Sequence, residues 1–139
     1  MKIETSLYKI LDIFKIASPQ SKEIFMQQSK TIELQKNEII FTEGKKNQSE
    51  YILLSGVVHR YNISEKGENV TTGFYMPDSV ITPHFARTNE GKSIFSLQAF
   101  TEVVLVEISV KELDYLRHTN LEFHAFGQRV IESECTSSN

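Results

Sequence analysis

Short apolar runs that alternate with turn residues dominate the middle of the chain. The runs are rich in β-branched or aromatic residues, and glycine follows each of the first two within three residues. Apolar runs of this length, bounded by glycine, are typical of strands. The apolar runs occupy residues 39–41 and 51–54, and strand-like stretches follow at residues 57–63 and 70–75. We expect tight turns at Gly44, Gly56 and Gly67, because glycine adopts positive φ without a steric penalty.

The strand pattern continues on both sides of this region. Residues 32–35 alternate apolar and polar side chains, and residues 103–108 are almost continuously apolar, as expected of a central strand buried on both faces. Residues 93–100 alternate again, whereas residues 79–82 form a shorter candidate strand that a proline ends. About eight strands predict two packed antiparallel sheets, with a connecting loop or a short helical turn at residues 84–92.

Helical patterns flank the predicted sandwich. Residues 6–16 carry apolar side chains at the spacing of an amphipathic helix, and a second helix, Pro19–Gln28, follows with Ser18 as its N-cap. After the last strand, Ser109 and Glu112 form a capping box that begins a third helix.

The last predicted helix begins at Asn120 and reaches about residue 134. Its apolar residues cover more than one face of the helix. One face is expected to pack on the sandwich and the other against a partner, unless the residues form one wide stripe. These residues are Leu121, Phe123, Phe126, Val130 and Ile131.

Length and charge restrict the possible classes of protein. The 139 residues suit one domain, and the net charge of −3 gives no basic field for binding nucleic acid directly. No apolar run is long enough to span a bilayer, and the N-terminus lacks the layout of a signal peptide. Cys135 is the single cysteine, so no internal disulfide forms. These features predict a cytoplasmic protein without membrane contact.

Motifs for catalysis or metal binding are missing from the sequence. No two histidines are spaced by two or four residues, and the G-x-S-x-G motif of a nucleophilic serine is absent. Gly91, Lys92 and Ser93 match the end of a phosphate-binding P-loop, but position 86, where the motif needs its first glycine, is alanine. We therefore expect neither an enzyme nor a metal site.

Two linked motifs resemble a known family. The patterns K-x-E-x-I-F-x-x-G at residues 36–44 and Y-I-L-L-x-G-x-V at residues 51–58 resemble cyclic-nucleotide-binding-type domains, and more closely the sensor domain of Crp/Fnr-type transcription regulators. The resemblance extends over roughly residues 7–131. It implies a mainly β fold, an antiparallel double-sheet jelly roll flanked by N-terminal helices and a C-terminal dimerisation helix.

The resemblance also implies where a ligand binds. In cyclic-nucleotide-binding relatives, this segment carries a Gly-Glu pair followed by Arg-Ser or Arg-Thr. Here residues 79–93 contain no Gly-Glu pair, and Lys92 replaces the arginine without its bidentate fork. A cyclic nucleotide, a different small effector and a vestigial pocket under a solvated loop all stay open. The candidate ligand-binding residues are Thr82, His84, Arg87, Lys92 and Ser93.

The expected function is that of a ligand-sensing regulatory domain. Residues 1–139 would form one effector-sensing domain, with helices within residues 6–28 and 109–134 around a sandwich at residues 31–108. The resemblance implies a homodimer whose last helix couples the effector state to a helix-turn-helix DNA-binding domain that is absent from this chain. Two alternatives are a cupin-like jelly-roll metalloenzyme and a ligand-free dimerisation module.

Overall fold

Two four-stranded antiparallel sheets pack face to face in the computed structural model, which describes residues 3–82 and 92–137. The strands in this part of the chain are β1 (Ser29–Leu34), β2 (Ile39–Phe41), β3 (Ser49–Ser55), β4 (Val58–Ile63), β5 (Asn69–Tyr75), β6 (Ser79–Ile81), β7 (Ser96–Ala99) and β8 (Val103–Ser109). The first sheet has the order β1-β8-β3-β6, and the second has the order β2-β7-β4-β5. The predicted mainly β, double-sheet jelly roll is confirmed.

Helices lie before and after the strands, as α1 (Ile3–Ile13), α2 (Pro19–Gln28), α3 (Val110–Thr119) and α4 (Leu121–Ser137). The first helix ends three residues before its predicted end. Lys15 has a φ of 77°, and the Ile16 N–H donates a 2.8 Å hydrogen bond to the Leu11 carbonyl. This geometry is a Schellman motif, which ends the helix. None of the helices within the described residues is long and apolar enough to cross a membrane.

Side chains of β3 alternate between two apolar cores. Ile52 and Leu54 pack in a core with the helices, whereas Tyr51 and Leu53 pack in a core between the two sheets. Strand β8 divides its side chains between the same two cores. This alternation follows from the two-residue repeat of a strand. The domain therefore has three layers, with the first sheet between the helices and the second sheet.

The turn between β3 and β4 depends on Gly56. Its φ is 86°, and a Cβ at this position would clash with the Glu102 carbonyl oxygen and crowd the backbone of Val103. Both the backbone conformation and the close approach require glycine. Gly44 and Gly67 also have positive φ, 82° in each case.

Three of the residues predicted for a dimer face belong to the chain's own core. Phe123, Phe126 and Val130 are buried, and the Phe123 ring lies 6.5 Å from the Phe25 ring. They therefore form one stripe that packs in the same core as the N-terminal helices. Leu121 is 88% exposed. The side chain of Ile131 lies outside the described part of the chain, and a dimerisation role for α4 stays a prediction.

The Glu122 carboxylate binds the N-terminus of α2. Its Oε2 accepts hydrogen bonds from the backbone N–H groups of Ala17 (2.7 Å) and Ser18 (2.9 Å). Its Oε1 accepts from the hydroxyls of Ser18 (2.5 Å) and Ser21 (2.7 Å). The bonds from Ser18 and Ser21 lower the pKa of Glu122 to about 2. The positive end of the helix dipole also favours this charge. The last helix is thus attached to the second helix across about a hundred residues of sequence.

We expect Glu122→Gln to lower the free energy of unfolding at pH 7 by about 1–3 kcal/mol, because charge-assisted hydrogen bonds become neutral ones. A lowered pKa stabilises the fold above the ordinary value of 4.5, and this contribution is lost as pH falls through about 2. Urea unfolding at several values between pH 7 and pH 2.5 should therefore show the two proteins converging in acid.

Glu65→Gln, in the exposed β4–β5 turn, is the matched control and should change the free energy of unfolding by less than about 0.5 kcal/mol. A difference between wild type and Glu122→Gln that stays constant down to pH 2.5 would contradict the proposed role of the carboxylate.

Candidate functional site

Aromatic rings fill one end of the space between the sheets. The centroid of the Phe41 ring lies 5.7 Å from that of Tyr51 and 5.5 Å from that of Phe95. The Phe95 ring lies 6.4 Å from the Tyr75 ring. All four side chains are buried in the core between the sheets. We call these four residues the aromatic floor.

Tyr51 contributes an uncharged phenol to this floor. Asn47 Nδ2 donates a 3.1 Å hydrogen bond to Tyr51 Oη. Burial raises the pKa of Tyr51 to about 12. The Tyr51 side chain is therefore an uncharged hydrogen-bonding group at neutral pH.

Two of the predicted ligand residues, Thr82 and Ser93, carry buried hydroxyl groups. Thr82 follows β6 and is 7% exposed, and Ser93 stands two residues before Phe95 and is 2% exposed. The backbone of Ser93 is held by Gly44 and Lys45 through hydrogen bonds of 2.8 and 2.9 Å. Neither hydroxyl has a hydrogen-bond partner among the described residues. An unpaired buried hydroxyl costs about 1–3 kcal/mol, so a bound ligand or water is expected to satisfy it.

Lys92 is the other predicted ligand residue that the structure describes. Lys92 is exposed and forms an isolated β-bridge with Lys46. His84 and Arg87 lie outside the described residues. Of the five candidates, the structure therefore buries Thr82 and Ser93 and leaves Lys92 in solvent. A ligand-binding role for these residues stays a prediction.

Arg60 is a charged residue that the sequence analysis did not select. Its guanidinium carbon lies 5.4 Å from the Tyr75 ring centroid and 5.3 Å from that of Phe95. Its Nη1 donates a 3.0 Å hydrogen bond to Tyr75 Oη. Strand periodicity could have located it, because Val58 is fully buried two residues earlier on the same face of β4.

A buried ion pair connects the sandwich to the helices. Glu50, which is 2% exposed, accepts hydrogen bonds of 3.2 and 3.4 Å from Arg117 Nη2 in α3. Arg117 also contacts Gly127 of α4, where an added Cβ would lie 2.9 Å from Arg117 Nε. The guanidinium therefore fits between β3 and α4 because position 127 has no side chain. Glu50 and Tyr51 are neighbours in β3, so the floor and the helices meet at one strand.

Within residues 3–82 and 92–137, no three or more His, Cys, Asp or Glu side chains are arranged to hold a metal ion. The cupin-like alternative therefore gains no support from this part of the chain.

Comparison with known sequences places the matched region over the sandwich and α3. A family model described as the cyclic nucleotide-binding domain matches residues 31–120. The chain is 34% identical over 83 residues to the regulatory protein HlyX of Actinobacillus pleuropneumoniae. That match covers 60% of this chain and 34% of HlyX, so the matched region is about a third of its relative.

Solved structures share the fold at low sequence identity. A cyclic nucleotide-binding domain from Methylobacillus flagellatus KT superposes with a TM-score of 0.79 at 12% identity, covering 97% of this chain and 79% of that one. The catabolite activator protein of Thermus thermophilus superposes with a TM-score of 0.71 at 18% identity, covering 92% of this chain and 59% of that one. At these identities the likeness concerns the fold alone.

We expect Thr82→Val to raise the free energy of unfolding by up to about 1 kcal/mol, because it removes an unpaired buried hydroxyl and keeps the shape of the side chain. Urea unfolding at pH 7 measures the change. Ser96→Ala is the matched control, since the buried Ser96 hydroxyl accepts a 2.8 Å hydrogen bond from the Glu43 N–H. That variant should lose about 1 kcal/mol. Equal losses in the two variants would mean that Thr82 has a partner in solution.

Proposed function

Because this chain belongs to the cyclic nucleotide-binding domain family, we propose that it senses a small effector and regulates DNA binding by a domain outside residues 1–139. The predicted resemblance to a Crp/Fnr-type sensor domain is confirmed at the level of the domain. A ligand-sensing regulatory domain is the role that this family supports. The identity of the effector and the coupling to DNA are the proposed parts.

The pair of unpaired buried hydroxyls, Thr82 and Ser93, is the observation that carries the effector proposal. A domain that needed only a stable core would place apolar side chains there, because each unpaired hydroxyl lowers stability. The aromatic floor, in the core between the sheets, supplies apolar surface for the body of a small molecule. In this proposal the effector lies over the aromatic floor and forms a hydrogen bond with each of the two hydroxyls.

A cyclic nucleotide is the first effector to consider, on the strength of the family. Ser93 stands where the serine or threonine of the Arg-Ser pair is expected, and its buried hydroxyl supports a role in binding. Lys92 stands in place of the arginine. Its side chain is exposed, which argues against Lys92 taking over the role of the arginine in binding a ligand. The effector is therefore proposed as a cyclic nucleotide or another small molecule.

Coupling to the helices is proposed to run through β3. An effector that displaces Tyr51 changes the position of its neighbour Glu50, which holds Arg117 between β3 and α4. A shift of Arg117 alters its contact with Gly127 and therefore the position of α4. This is a population shift, and it requires an effector that contacts the two states differently.

We expect cyclic AMP or cyclic GMP to bind with measurable heat in calorimetry and to raise the unfolding temperature at millimolar concentration. Ser93→Ala should weaken the binding by about tenfold, because it removes one hydrogen bond to the ligand. Ser64→Ala, in the β4–β5 turn, is a control that should bind as wild type does. No heat and no thermal shift with either nucleotide at millimolar concentration would exclude cyclic nucleotides as effectors.

Dimerisation is proposed to use the exposed corner between α3 and α4, where Tyr115 is 66% and Leu121 is 88% exposed. We expect the wild-type chain to sediment as a dimer and Leu121→Glu to sediment as a monomer, because the variant places charge in an apolar contact. Met76→Glu, on the sandwich, is a control with a similarly exposed apolar side chain. A dimer that survives Leu121→Glu would place the interface elsewhere.

A further inference from the structure

Arg60 carries a charge on the inner side of the second sheet. Strand β4 alternates, so Arg60 shares the face of Val58, which is fully buried in the core between the sheets. The guanidinium lies over the Phe95 and Tyr75 rings of the aromatic floor, and the side chain is half-buried. An arginine on an exposed strand face would not contact these rings.

This charge has no carboxylate partner in the described part of the chain. The ion pairs formed there involve Lys22, Lys30, Arg117 and Arg129, whereas the polar contact of the Arg60 guanidinium is with the neutral Tyr75 hydroxyl. One hydrogen bond uses one of the five N–H donors of a guanidinium. A partly desolvated cation without a counter-ion lowers stability, and an anion beside it restores the balance.

The neighbouring unpaired groups complete the pattern. Ser93 leads into Phe95, whose ring lies under the guanidinium, and Thr82 leads out of β6, whose last residue pairs with Tyr51 of the floor. Both hydroxyls are more than nine-tenths buried and lack partners among the described residues. The floor therefore carries a cation with no carboxylate partner among the described residues, and Ser93, two residues before Phe95 in sequence, adds a buried hydroxyl that needs a hydrogen bond.

We propose that Arg60 binds the oxyanion of the effector, and that the effector is a small organic anion, either a carboxylate or a phosphate ester, with an apolar body. This inference rests on the proposed function, since it concerns the same site. The guanidinium matches the planar geometry of two oxyanion oxygens, which an ammonium group does not. The Thr82 and Ser93 hydroxyls serve the remaining polar atoms of the ligand, and the floor contacts its apolar body.

Lys92 is the competing cation, and the structure disfavours it. Its side chain is exposed, so water screens its charge and hydrates the ammonium group. Arg60 is partly removed from water and rests on two aromatic rings, which limits its rotamers before the ligand arrives. The charge that selects an anion therefore comes from β4 and not from residue 92.

Binding of three probes to the full chain tests this assignment. Cyclic AMP, benzoate and inorganic phosphate are titrated into wild type, Arg60→Gln, Arg60→Lys and Lys92→Gln by calorimetry. We expect at least one organic anion to bind wild type, about 10- to 100-fold weaker binding by Arg60→Gln, and less than threefold change in Lys92→Gln. Arg60→Lys should recover part of the affinity, since it restores the charge without the fork.

Chemical modification of the wild type gives a second readout that needs no variant. Phenylglyoxal modifies accessible arginines, and the bound anion should slow modification of Arg60 at least fivefold while Arg129, which is exposed on α4, reacts at an unchanged rate. This arm keeps the proposal testable if Arg60→Gln does not fold. Preference for cyclic AMP or benzoate separates a phosphate ester from a carboxylate.

Three outcomes would overturn the inference. They are equal affinity of wild type and Arg60→Gln for the anion, unchanged modification of Arg60 in its presence, and no binding of any of the three probes at 10 millimolar. The proposed function fails independently. Cyclic AMP that binds both proteins equally removes Arg60 from the site and keeps the sensor, whereas benzoate that binds through Arg60 without any nucleotide binding keeps Arg60 and excludes cyclic nucleotides.

Discussion

Alternation of side chains along β3 and β8 is the constraint on which both cores of the domain depend. A strand turns successive side chains to opposite faces, so each of these central strands must be apolar on both. Tyr51 and Leu53 close the space between the sheets, while Ile52 and Leu54 support the helices. A change in side-chain packing on one face of these strands therefore moves the backbone that also carries the side chains of the other face. The helices are coupled to the sandwich through this shared backbone.

Much of the fold followed from local spacing, because strand and helix periods are visible in short stretches of sequence. The strand runs, the N-cap of the second helix and the capping box of the third depend on residues at most a few positions apart. For the last helix, spacing left two options open, and the packing of Phe123 and Phe126 on α2 shows that these residues form one stripe. The Glu122 contact could not be predicted, since its partners lie about a hundred residues away and carry no motif.

The candidate site was less predictable than the fold. Thr82 and Ser93 were selected through the family resemblance, and only burial distinguishes them from the exposed Lys92. Arg60 has polar and aromatic neighbours in its strand. The composition of this stretch alone predicts that the Arg60 side chain is solvated. Its position matters because it breaks a local rule of stability: within the described residues, its partly buried charge has no carboxylate partner. Such violations are expected where stability has been given up for binding.

The attachment of Glu122 to the start of α2 has a consequence for how the chain is made. Synthesis proceeds from the N-terminus, so α2 leaves the ribosome about a hundred residues before the carboxylate that satisfies its first turn. Until α4 emerges, Phe25 lacks the rings that cover it in the finished domain. The helical layer is therefore completed last. A nascent chain that stalls before residue 121 exposes an apolar surface that chaperones can bind.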